Sequence, residues 1–129
     1  MTTAFQEGLK LDGVGLYYST NEKTTNVSSN TDGHTVCSTI GLKAGKYIIY
    51  GKIIYATNAT GFRLCSISTN NQIATNDYVA QPGISGIRTS VNQVRILALS
   101  AASTVYLIGR QNSGSQLGTT SNLVALRIV

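Results

Sequence analysis

Residues able to move a proton at neutral pH are scarce in this chain. The acids are Glu7, Asp12, Glu22, Asp32 and Asp77, and His34 is the single histidine. Asp32-Gly33-His34 has the makings of an acid–imidazole pair, in which the acid orients a base for proton transfer. An Asp-Gly step just before a strand is also ordinary hairpin chemistry, and that reading accounts for all three residues. A glycoside-cleaving pair needs two carboxyl groups at a defined separation, and five sparse acids, mostly in turn-like contexts, do not supply it. No Gly-x-Ser-x-Gly elbow is present. The run GRQNSGSQLG lacks the Lys-Ser/Thr of a phosphate-binding loop and reads as an interstrand loop. Calcium asks for clustered carboxylates, and zinc for Cys/His sets at short spacing. Cys37 and Cys65 stand apart in the apolar runs HTVCSTI and FRLCSIS and read as buried thiols, with a disulfide between them left open. The expectation is no catalysis, no metal and no cofactor.

Hydroxyls and amides, in contrast, are abundant: Ser, Thr and Asn make up 39 of the 129 residues. These groups pair with sugar hydroxyls, and aromatic rings offer flat apolar faces on which a pyranose can stack. On that chemistry the candidate ligand-binding residues are Tyr78, Gln81, Arg88, Arg110, Gln111 and Asn112. The formal net charge is +5. The basic residues are spread from Lys10 to Arg127 with no run interleaved with aromatics, so nucleic acid is not an expected partner. The opening MTTAFQEGLK has no apolar core, so no signal peptide is expected. Nor does any run approach the roughly 20 apolar residues of a membrane-spanning helix.

The elements that must position these side chains are strands. Charged residues are only 12% and no segment keeps a helical period over 11 or more residues. Short apolar runs alternate instead with Ser/Thr/Asn/Gly turns, the pattern of an all-β sandwich or barrel. The candidate strands are LYYST, HTVCSTIGL, KYIIYGKIIY, FRLCSIST, VNQVRILALS, TVYLIGRQ and NLVALRIV. Segments 21–33 and 70–90 read as polar connections.

One strand breaks the expected pattern. In Tyr47–Tyr55 one face carries Tyr47, Ile49, Gly51, Ile53 and Tyr55, and the other Ile48, Tyr50, Lys52 and Ile54. A half-wet antiparallel strand should alternate apolar with polar. TVYLIGRQ and NLVALRIV share the oddity, whereas FRLCSIST and VNQVRILALS read as half-buried. Three strands with apolar outer faces would expose a patch of the kind that marks an interface. A second copy of the chain is the economical cover. The alternative is that segments 21–33 and 70–90 fold over that face.

Gly45, Tyr47, Ile49, Tyr55, Asn58, Gly61, Phe62 and Arg63 form a strand–turn pattern that resembles the signature strand of trimeric jelly-roll domains. Those domains are related to complement-type globular heads and the tumour necrosis factor fold. TVYLIGRQNSGSQL and NLVALRIV are similar to that family's last two strands. The AGKY…NATGFR and GRQNSGSQL wording most resembles the receptor-binding heads of phage and prophage tail fibres. The resemblance implies one antiparallel two-sheet jelly-roll domain over residues 1–129, with residues 1–15 a lead-in or shaft junction. It also implies a homotrimer, with Tyr47, Ile49, Ile53, Tyr55, Tyr106, Ile108, Leu123, Arg127 and Val129 lining the axis. The implied setting is a virion or other extracellular particle, and the implied partner a bacterial cell-surface glycan or protein.

Overall fold

The structure, a computed structural model, describes residues 17–20, 22–29, 34–38, 41–72 and 77–128, without the side chains of Tyr17, His34 and Cys37. The expected lead-in over residues 1–15, the Asp32–His34 pair and the axis position Val129 lie outside that description. Nine strands follow in order: β1 (Tyr17–Ser19), β2 (Lys23–Val27), β3 (His34–Ser38), β4 (Gly45–Tyr55), β5 (Phe62–Ser68), β6 (Val79–Pro82), β7 (Thr89–Leu99), β8 (Tyr106–Gln111) and β9 (Leu117–Arg127). No helix occurs among the described residues. One sheet, sheet A, runs β1-β9-β4-β7, with β2 also paired to β9; the other, sheet B, runs β3-β8-β5-β6. All pairings between these strands are antiparallel. From β3 onward the chain passes repeatedly between the two sheets, which closes an antiparallel jelly-roll sandwich, as expected.

The core is the alternate set of each long strand. From sheet A come Tyr47, Ile49, Ile53, Tyr55, Val91, Leu97, Leu99, Leu117, Leu123 and Ala125. Sheet B answers with Val36, Cys65, Ile67 and Leu107. Burying a large apolar side chain contributes roughly 1.5–3 kcal/mol, so this shared layer dominates stability. Gly51 belongs to the same inward row. A Cβ there would lie 2.6 Å from Leu107 Cδ1, so the glycine is what lets Leu107 of the opposite sheet pack onto β4. Tyr55 ties the sheets together: its hydroxyl donates to the Leu64 carbonyl at 2.6 Å and accepts from the Arg110 amide at 3.1 Å. Burial pushes its phenol well above its ordinary value of 10.0.

Three stretches read as polar connections are strands. They are β2, β6 and the first half of β9. Lys23–Val27 pairs with Leu117–Ser121, and Thr faces Thr in two of the registers. Thr is a good strand residue whose hydroxyl tolerates a wet face, so ladder bonds rather than apolar alternation hold this pair. Strand β6 is short and lies at the edge of sheet B. Its Pro82 sits at an edge position, where a missing N–H costs little.

The structure also corrects which strands share a face. Strand β8, which the resemblance sets on one axis with β4 and β9, lies in sheet B, and it is β7 that joins β4 and β9 in sheet A. Strand β7 was expected to keep its polar side in water, yet Gln93 and Arg95 point inward and Val94 and Ile96 outward. The polar pair has a task inside. Gln93 accepts from the Ile67 amide at 2.7 Å, and Arg95 donates to the Ile67 carbonyl at 2.6 Å. Both also hold Asp77, at 2.7 and 2.5 Å. They cap backbone groups of β5 beyond the end of its pairing with β6, which would otherwise be buried without partners. Strand β5, read as half-buried, is covered on both faces.

Candidate functional site: two outer faces of the sandwich

The outer face of sheet A is built by register. Ile96, Ile48 and Leu126 lie side by side across β7, β4 and β9, and Val94, Tyr50 and Val124 form the next row. Val94 is 63% exposed, Ile96 60%, Ile48 37% and Leu126 36%. The rows beyond turn polar, with Asn92, Lys52 and Asn122, then Ser90, Ile54 and Thr120. The face is therefore divided into an apolar half and a polar half.

The outer face of sheet B has a different fate. Ile108 and Ser66 are fully buried, and Leu64 is nearly so. A strap of the chain after β5 bonds to this face at two points. Its Asn71 accepts a hydrogen bond from Thr35 on β3, and the Asp77 carbonyl accepts one from Ser66 Oγ at 3.0 Å. Beyond this strap the face opens into a groove of about 390 Å³ lined by Phe62, Leu64, Tyr78, Ala80 and Arg110. Ala80, Leu64 and Arg110 sit in one row across β6, β5 and β8. The small side chain of Ala80 leaves the floor low. Phe62 borders one end and Tyr78, 52% exposed, the other. The Arg110 guanidinium lies 5.3 Å from the centre of the Phe62 ring.

The expected axis residues are largely misplaced. Tyr47, Ile49, Ile53, Tyr55 and Leu123 are buried between the sheets of the chain itself, so they cannot line a contact between copies. Tyr106 and Ile108 belong to sheet B, away from β4, and Ile108 has no exposed surface. Arg127 is at the end of β9 and donates to the Ala44 carbonyl at 2.9 Å. The open face is carried by the opposite parity of β4 and β9, with β7 added: Ile48, Tyr50, Val94, Ile96, Val124 and Leu126. Only hydrophobicity distinguishes the two parities in sequence, and both are apolar.

Of the expected ligand residues, Tyr78 and Arg110 meet in the groove. Gln81 is opposite Arg63 on β6, so it belongs to the other parity from Ala80, and it is exposed at the sheet edge. Arg88 borders a separate small hollow with Thr24, Ile54 and Gly118 at the polar end of sheet A. Gln111 is corrected outright: it is fully buried, its amide N–H donates to the Val27 and Ser115 carbonyls, and its oxygen accepts from the Ser113 amide. It braces the turn that the sequence presents as an interstrand loop. Asn112 accepts from the Phe62 amide at 2.7 Å, which positions the aromatic wall rather than a ligand. Phe62 and Leu64 were missed as site residues because they read as plain strand positions, and Ala80 because it fell in a stretch read as a polar connection.

Arg63 is the buried post of the same end. It donates to the carbonyls of Asn58, Thr60 and Phe62 at 2.5, 2.8 and 3.1 Å, fixing the 56–61 turn behind Phe62. Desolvation lowers its pKa. Cys65 is buried in the core as a thiol. Among the described residues no three of His, Cys, Asp and Glu come together as a metal set.

No protein-family model and no curated protein matches the chain. Solved structures do. Eiger TNF from S. frugiperda aligns with a TM-score of 0.61 and 14% identity, over 91% of this chain and 94% of that one. The fold is shared. The infectious bursal disease virus Gx strain structure follows at 0.59 and 12%, over 89% of this chain. The VP2 subviral particle of the same virus aligns at 0.52 and 16%, over 86%. This jelly roll spans about a third of those two viral chains, 34% and 33%.

Proposed function

We propose that this chain is a non-enzymatic, self-associating head domain. It forms a homotrimer through the outer face of sheet A and attaches a virion or other extracellular particle to a bacterial surface saccharide or protein. The observation that carries self-association is the apolar half-face across β7, β4 and β9. Its exposed residues are contiguous, not scattered, and contiguous apolar surface of this kind marks an interface. The threefold number comes from the resemblance of the β4 and β9 sequences to trimeric jelly-roll heads. Attachment is supported by the aromatic groove, which stands on the other sheet and stays open when sheet A is covered. Three grooves on one particle would multiply a weak single-site affinity.

The likeness in fold to a chain of a subviral particle favours a second reading, a structural trimerisation or capsid-decoration module without a ligand. A glycan array probed with the assembled protein separates the two. Retention on at least one bacterial surface saccharide supports attachment; no retention on any favours the structural module.

A further inference from the structure

We infer that the Phe62–Tyr78–Arg110 groove is a site for an acidic sugar, a pyranose carrying a carboxylate. This rests on the attachment reading above and names its ligand class. The groove has the parts such a ligand needs and few others. Two aromatic rings stand at its ends, roughly 13 Å apart along the strand direction by residue count. Its floor is the apolar pair Leu64 and Ala80. A sugar ring presents apolar C–H faces to such walls and keeps its hydroxyls toward water.

Arg110 supplies the charge, and among the described residues that line the groove no acid answers it. The Phe62 ring beneath it is a cation–π neighbour, not an anion. The acid next to the groove, Asp77, is held by Arg95 at 2.5 Å and Gln93 at 2.7 Å. Arg110 Nε is buried without a hydrogen-bond partner. That nitrogen is closed to a ligand, so a carboxylate in the groove would meet the terminal nitrogens of the guanidinium through charge-assisted hydrogen bonds. A planar fork matches a carboxylate better than a sugar hydroxyl, so the groove should discriminate between sugars by charge.

The test is a matched pair of probes, methyl glucuronide and methyl glucoside, which differ only in carboxylate against hydroxymethyl at one carbon. Each is titrated into the full chain, with amide NMR shifts as readout and butyrate as a carboxylate without a ring. The expected result is shifts centred on Phe62, Leu64, Ala80 and Arg110, with glucuronide bound about tenfold more tightly than glucoside and butyrate weaker than glucuronide. Arg110→Gln should erase the difference between the two sugars, Arg110→Lys should restore part of it, and Tyr78→Ala should weaken both sugars. High salt should shrink the glucuronide preference. Equal affinity for the two sugars, a preference that survives Arg110→Gln, butyrate matching glucuronide, or shifts elsewhere would each overturn the inference. A trimer that captures other saccharides but ignores glucuronide sinks this ligand class alone; a chain that captures no saccharide sinks the attachment reading with it.

Discussion

The two outer faces of the sandwich began with the same sequence signature and ended differently. Strands β4 and β8 are both apolar on both sides. On sheet B the outer apolar side is buried by the chain itself, and a strap bonds to it at Asn71–Thr35 and Asp77–Ser66. On sheet A, Val94 and Ile96 remain more than half exposed. A doubly apolar strand therefore reports that a cover exists without naming it. What decides is where the rest of the chain lies, and Asn71 and Asp77, from the chain after β5, lie against sheet B.

The sharpest way to break this comparison is to delete matched isoleucines. Ile108→Ala, on the covered face, should cost about 2–5 kcal/mol of unfolding free energy in a denaturant titration, as for a core residue. Ile96→Ala, on the open face, should change the dilute single chain by less than about 0.5 kcal/mol while weakening assembly. Equal costs would mean that the two faces are equally covered.

A second test concerns the hydroxyl that joins the sheets. The folded state holds Tyr55 protonated above the ordinary phenol value of 10.0. Between that value and the raised one, the unfolded chain loses a proton that the folded chain keeps. Stability contributed by this group is complete below pH 10 and falls as pH rises through that window, by at most about 1.4 kcal/mol per pH unit. Tyr55→Phe should cost about 1 kcal/mol at pH 7 and flatten the alkaline slope measured by denaturant titrations. An unchanged slope would remove Tyr55 as its source.

The smallest expected effect lies in the strap. Asp77→Asn loosens the ion pair with Arg95 while leaving the carbonyl bond to Ser66. Because the pair is partly exposed, the cost should be about 1 kcal/mol or less, read by denaturant titration. Hydrogen exchange at Ile67 should rise, since Gln93 and Arg95 lose the anchor that aligns them. Unchanged protection there would show that they hold β5 without Asp77.

Much of the fold was legible and much of the site was not, for one physical reason. Strand existence follows from local alternation and turn residues, so β4, β7, β8 and the end of β9 stood out. Strands β2 and β6 hid because Thr, Asn and Gln pair through the backbone without any apolar period. Parity is a weaker signal. In β4 both parities are apolar, and the inward one is marked only by Gly51 facing Leu107, a fact of the opposite sheet. In β7 the polar side misleads, because Gln93 and Arg95 are wanted inside to cap β5. Gln111 misleads likewise, its amide spent on the chain's own carbonyls. Tyr78 and Arg110 were found by residue type, but the groove that unites them depends on Ala80 and Leu64 meeting across two strands.

The central claim is that sister chains cover the open half of sheet A. It is tested most directly by absolute mass in solution, from light scattering behind a sizing column. The account predicts three times the 13.7 kDa of the single chain, and a single-chain mass once Val94 and Ile96 are both replaced by Glu. A mass of one chain for the unaltered protein, at every concentration tried, would contradict it.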